Sequence, residues 1–123
     1  MVVDTSIILA LFLNEEHSGW CATELNKHTD TLRMSTVNLA DVMIILKHRQ
    51  PQLADQLIDR MKASGIRFVA PNEKHAEVAA AARLRFPLNL GDCFAYALAK
   101  VEDCPIITLD GDFRKSDLLL LSP

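Results

Sequence analysis

Short apolar runs that alternate with helical patterns constrain this chain more than any other feature. Met1 to Val3, Leu32 to Met34, Ile66 to Val69, Ile106 to Leu109 and Leu118 to Leu121 are each separated by turn or helix signals. Strands spaced in this way need crossover connections, and helical crossovers favour a mostly parallel sheet covered on both faces. An α/β fold is therefore expected. Ser35 or Thr36 is placed to cap a helix running to about Arg49, Pro51 to start the next, and Gly65 to end it. Asn72 caps a helix from Glu73 to about Phe86, closed by Pro87, and Gly91 and Asp92 open another. In that last helix Phe94, Ala97, Leu98 and Val101 recur at helical spacing, which predicts one buried stripe with Asp92 in the first turn. There is no repeat or linker, and 123 residues suit a single domain spanning 1–123.

Charge and cysteine content narrow the function classes. Thirteen Lys plus Arg stand against 16 Asp plus Glu, a formal charge of −3, so no net positive field draws the chain to a polyanion. Any nucleic-acid binding must be local. Cys21, Cys93 and Cys104 are widely spaced among apolar residues, which excludes a disulfide framework or Cys-rich zinc site and suits a reducing cytoplasm. The apolar run near the N-terminus is interrupted by Asp4, lacks a basic leader and ends in Asn14, Glu15 and Glu16, so it is not read as a secretory signal. No stretch reaches the roughly 18 to 20 apolar residues that cross a bilayer, and no membrane association is expected.

Four aspartates carry the functional reading. Asp4 follows the first strand and Asp110 follows Ile106 to Leu109; ligand sites in open α/β sheets form at such carboxyl ends. A turn or helix-cap reading of either stays open. Asp41 lies in a helix whose Leu39, Ala40, Val42, Met43, Ile44, Ile45 and Leu46 make it apolar almost all round, so the helix is expected to be buried. An ionised carboxylate there must be paired, hydrogen-bonded or bound to metal, and Asn38 shares its face. Asp92 taken alone is a capping residue. Several carboxylates with no matching His or Cys ligands favour a hard divalent cation, Mg²⁺ or Mn²⁺, over zinc. Crowded carboxylates repel one another, and a cation relieves that repulsion.

At this point the sequence resembles the PIN-domain family, in particular the VapC-type toxins. The resemblance rests on Val2-Val3-Asp4-Thr5-Ser6, on Ser35 followed by Asp41, on Leu90 to Lys100, and on Ile107-Thr108-Leu109-Asp110-Gly111-Asp112-Phe113, in the family's order and approximate spacing. It implies a three-layer α/β/α sandwich and a metal-dependent endoribonuclease. Asp4, Asp41, Asp92 and Asp110 would be the catalytic and metal-binding acids, with Thr5, Ser6 or Thr108 as supporting hydrogen bonders. It further implies an RNA substrate, an antitoxin partner and a homodimer. Two departures stand out. Asp41 occupies a position where such proteins more often carry Glu, one methylene longer. Some relatives place the last acid three residues before the Phe and others immediately before it, so Asp112 is the alternative to Asp110, whereas Asp117 reads as a loop or cap residue.

Basic residues near these motifs, Arg83, Arg85, Arg114 and Lys115, are candidates for phosphate contacts. Lys47, His48 and Arg49 read as a favourable cluster at a helix C-terminus. Phe12 and Trp20 are large apolar groups that can pack in the core or anchor a partner helix. An aspartyl-phosphate phosphatase also begins strand-Asp, but needs a second Asp where Ser6 stands. The remaining rival is a catalytically weak PIN-like module that binds RNA or protein.

Overall fold

Alternate side chains of the central strands point to opposite faces of one sheet, and this splits the core in two. Val3 and Ile107 join one buried cluster, Val2 and Ile106 the other. In the computed structural model, which describes residues 1–123, the elements run in the order β1 (Val2–Val3), α1 (Thr5–Phe12), α2 (Ser18–Lys27), β2 (Arg33–Ser35), α3 (Thr36–Arg49), α4 (Ala54–Lys62), β3 (Arg67–Val69), α5 (Glu73–Arg85), α6 (Leu90–Val101), β4 (Ile106–Ile107), a 3-10 turn (Gly111–Lys115) and β5 (Leu120–Leu121). The sheet order is β3-β2-β1-β4-β5 and every pairing is parallel. Residues of α1 to α4 fill one cluster, and α5 and α6 supply most of the other. The expected three-layer α/β/α sandwich is present. No helix is long and apolar enough to cross a membrane.

Strands are shorter than the apolar runs because side chains take over the backbone pairing at their ends. The Leu109 N–H, for example, donates to Ser6 Oγ rather than to a neighbouring strand. Ser35 Oγ accepts from the Val37 N–H and caps α3, and Asn72 caps α5 through the His75 N–H. Pro51 does not start α4. It sits in the turn Gln50 to Leu53, whose backbone bonds to the Gln50 carbonyl delay the helix to Ala54. Gly65, at φ +89°, ends the following turn in a conformation that favours glycine.

Two helices exchange the burial expected of them. α3 looks apolar all round, yet only Asn38, Val42 and Leu46 are buried and Ile44 is 57% exposed. It lies against the sheet on one side only. α6 looks amphipathic, yet Cys93 and every residue from Ala95 to Ala99 are buried, because α5 covers its outer side while the sheet covers the inner. Phe94 and Val101, assigned to its buried stripe, lie partly or largely in solvent. The three cysteines are free thiols, with Cys21 and Cys93 buried and Cys104 half-buried.

Candidate metal centre

The strand order reverses between β1 and β4, where one crossover series runs toward β3 and the other toward β5. Helices diverge at such a switch point and leave a crevice beyond the carboxyl ends of the two strands. Asp4 leaves β1 here and Asp110 follows β4. The crevice, of about 500 Å³, is lined by Asp4, Asp41, Asp92 and Asp110, with Thr5, Ser6, Leu9, Ile45, Asn89, Leu90 and Gly91. That volume suits a small ligand or a segment of a larger one. All four predicted acids thus meet at one site, and no basic side chain lines it.

Asp4 is the anchor. It is 2% exposed, and its Oδ2 accepts from Ser6 Oγ at 2.7 Å and from Thr108 Oγ1 at 2.8 Å. The same hydroxyls accept in turn from the backbone: Leu109 N–H to Ser6 Oγ at 3.0 Å, Asp110 N–H to Thr108 Oγ1 at 2.9 Å. Two strand ends are therefore tied through two hydroxyls to one carboxylate oxygen. Thr5 is different, since its Oγ1 is buried and has no partner.

Asp110 Oδ1 accepts from the Asp112 N–H and caps the 3-10 turn, so it has both the structural and the crevice placement that sequence left open. Asp112 is exposed and does not line the crevice, although its charge still reaches Asp92. Asp92 stands at the third position of α6 in a reciprocal cap: Asn89 Oδ1 accepts from the Asp92 N–H at 2.9 Å, and Asp92 Oδ2 accepts from the Asn89 N–H at 3.2 Å. Asn89 was missed in the sequence, where its spacing of three from Asp92 was the available signal. Asp41 is only half-buried, so the expectation of a carboxylate enclosed by a buried helix is corrected. At the crevice its Oδ2 occupies space that a side chain at residue 91 would need.

Electrostatics follow first from burial and then from this crowding. Burial pushes the Asp4 carboxyl up despite its two hydroxyl bonds, and the Asp110 charge adds to the rise. Asp92 is pushed up to about 6, first by burial and then by the charges of Asp4, Asp110 and Asp112. Asp41 is raised by burial alone, which sets it apart from Asp4 and Asp92. The donor set is all oxygen, is crowded with like charge, and includes the orphaned Thr5 hydroxyl, so it fits a hard divalent cation. The acids do not close into a cage: no three His, Cys, Asp or Glu side chains are gathered tightly enough to enclose an ion directly. Magnesium tolerates that arrangement, because it usually keeps several of its waters.

The predicted phosphate-binding residues Arg83, Arg85, Arg114 and Lys115 are exposed and lie outside the crevice lining. The field of Arg83 reaches Cys93, next to Asp92, whereas Arg85 stacks on the Phe86 ring at 4.8 Å. Arg49 faces Glu15 at 3.6 Å. Asp117 belongs elsewhere: it accepts from Tyr96 Oη at 2.7 Å and from Lys100 Nζ at 3.1 Å.

Fold and site together define a doubly wound parallel α/β domain with an all-carboxylate crevice at its switch point. The PIN domain profile matches residues 1–118. The chain is 32% identical over 127 residues to Ribonuclease VapC42 of Mycobacterium tuberculosis, covering 96% of each, and 30% identical over 128 residues to Ribonuclease VapC36 of the same organism, covering 96% of this chain and 91% of that one. Among solved structures it resembles Mycobacterium tuberculosis VapC20, described as a sarcin-ricin loop cleaving toxin, with a TM-score of 0.85 at 18% identity over 99% of this chain and 98% of that one. A toxin-antitoxin complex from Klebsiella pneumoniae matches with a TM-score of 0.76 at 22% identity, covering 94% and 92%. The chain belongs to the PIN domain family, and its relatives within that family are VapC ribonucleases.

Proposed function

We propose that this chain is the toxin of a toxin–antitoxin pair, an endoribonuclease that hydrolyses RNA phosphodiester bonds in the cytoplasm with Mg²⁺ or Mn²⁺. The observation that carries the reading is the convergence of Asp4, Asp41, Asp92 and Asp110 on one crevice free of basic residues. Four carboxylates facing a phosphodiester would repel it unless a cation stood between them. When bound, the divalent ion supplies a nucleophile at neutral pH and neutralises charge on the phosphate. Asp4 is fixed through Oδ2 by Ser6 and Thr108, which leaves Oδ1 as its oxygen for the ion. Asp92 and Asp110 hold their carboxylates at a helix start and a strand end, each tied to backbone by a capping hydrogen bond. Arg83, whose field reaches Cys93, is the basic residue we assign to steering an RNA phosphate toward the site.

Two partners accompany this reading. A groove of about 310 Å³ away from the acids is lined by Ile8, Leu11, Phe12, Leu25 and Met61, with Arg60 over the Phe12 ring at 5.8 Å, and it suits an apolar antitoxin segment. Trp20 does not line it and packs against the core instead. Leu84 and Leu90, 89% and 71% exposed on either side of the α5–α6 turn, suit burial against a second copy.

Incubating the protein with a mixed RNA pool tests the activity. Cleavage is expected with Mg²⁺ or Mn²⁺, and is expected to vanish in EDTA and in Asp4→Asn. Cleavage that survives EDTA would reject the chemistry. Binding without cleavage under every divalent ion would favour the weak or inactive module, a reading that the short and electrostatically separate Asp41 keeps in contention.

A further inference from the structure

The turn that brings Asp92 to the crevice is gripped from the side by α3. Asn38 is 1% exposed, and its Nδ2 donates to the Gly91 carbonyl at 3.0 Å. Asp41 lies on the same face of α3, one turn further on. Its Oδ2 lies where the side chain of residue 91 would begin, so that a Cβ there would collide with that oxygen. Gly91 therefore meets α3 twice, through its carbonyl and through its missing side chain. Asn89 and Asp92 fix the rest of the turn by their reciprocal cap. A single methylene separates the Asp41 carboxylate from its backbone, so its reach into the crevice depends on how closely α3 approaches this turn.

We propose that Asn38 and Gly91 form a clamp that sets the placement of the Asp41 carboxylate relative to Asp92, and that both are positioning residues for the divalent-ion site. Asn38 holds the two elements together. Gly91 leaves the space in which the carboxylate lies. An added Cβ meets the far end of a rotatable side chain rather than backbone, so the fold can absorb it, but only by swinging the carboxylate away. The role of the ion rests on the functional reading above; the clamp itself does not.

Two measurements without RNA test this. In metal-free protein, the ¹³C resonance of the Asp41 carboxyl is expected to move in Gly91→Ala and in Asn38→Leu, with the Gly91→Ala melting temperature close to that of wild type. In Mn²⁺ titrations by calorimetry, Gly91→Ala is expected to weaken binding about tenfold or more, as loss of a supporting partner at a metal site does. In an Asp41→Ala background the same change is expected to add no further loss, because the obstructed group is gone. An unmoved Asp41 resonance, Gly91→Ala affinity equal to wild type, or losses that add in the double variant would each overturn the clamp. Wild type that binds no Mn²⁺ would sink the metal reading, and the Asp41 resonance would still decide the clamp.

Discussion

Thr108 shows how much one hydroxyl decides at this site. It donates to Asp4 Oδ2 and accepts from the Asp110 N–H, so a single buried side chain couples the acids that follow β1 and β4. Replacement by valine keeps the shape but removes both bonds and strands the Asp110 N–H, which has no other partner. An unsatisfied buried donor costs about 1–3 kcal/mol, and loosened second partners of metal ligands cost about 10–100-fold in affinity or activity. Thr108→Val is accordingly expected to lower stability in urea by that order and to lose cleavage, whereas Thr108→Ser, which keeps the hydroxyl, retains most of both. Loss in Thr108→Ser with retention in Thr108→Val would show that the methyl, not the hydroxyl, matters. Thr5 invites no such substitution, because its buried hydroxyl has no protein partner to lose.

Helix starts do the placing at the next scale. α1, α3 and α6 all begin at the carboxyl edge of the sheet, and each brings residues to the crevice from its early turns. Asn89 caps the last of these, and truncating it to alanine is expected to cost about 1 kcal/mol through the lost cap. Asn89→Ala should also raise the amide exchange of the first turn of α6, since the Asp92 N–H loses its acceptor. Asn89→Ser keeps an oxygen acceptor without adding a charge to the crevice and should keep most of the stability. A loss confined to activity, with α6 exchange unchanged, would contradict the capping role.

Helix existence was legible from periodicity and caps, as at Ser35 and Asn72, because those signals are local. Burial was not. α3 and α6 differ in what packs over them, and no composition within a helix reports whether a neighbour will cover its outer side. Asp41 was therefore singled out for the wrong reason: an apolar neighbourhood in sequence became a half-exposed face in space, and its carboxylate lies in room left by a glycine of another helix. The strand-end acids were legible because strand ends can be read from runs, and the convergence of Asp4 with Asp110 follows once β1 and β4 are neighbours. The order of the strands had no local signal.

Across the whole molecule the two ends of the sheet carry opposite electrostatics. At the far end Glu102 receives Arg67 at 2.7 Å and Arg33 at 2.9 Å, joining α6 to β3 and β2. Burial alone would raise its carboxyl, but the hydrogen bonds and charges of the two arginines outweigh that and leave it lowered. Its contribution to stability is present above its unfolded value of 4.5 and is lost as pH falls through the lowered folded value. The crevice has the reverse sign. Asp92 titrates at about 6 in the fold against 3.8 unfolded, and Asp4 and Asp41 are raised as well, so the native state binds more protons than the unfolded chain in this window. Stability of the metal-free protein is thus expected to fall as pH rises from about 4 to 6, and Asp92→Asn should flatten that fall. A divalent ion binds the deprotonated carboxylates, so the rise in melting temperature produced by Mn²⁺ should grow over the same pH window. Melting curves in EDTA and in Mn²⁺ at successive pH values measure both slopes. An EDTA profile that is flat or rising through this range would mean that neither burial nor neighbouring charge raises these acids in solution. An Mn²⁺ increment independent of pH would mean that the ion binds somewhere other than these carboxylates.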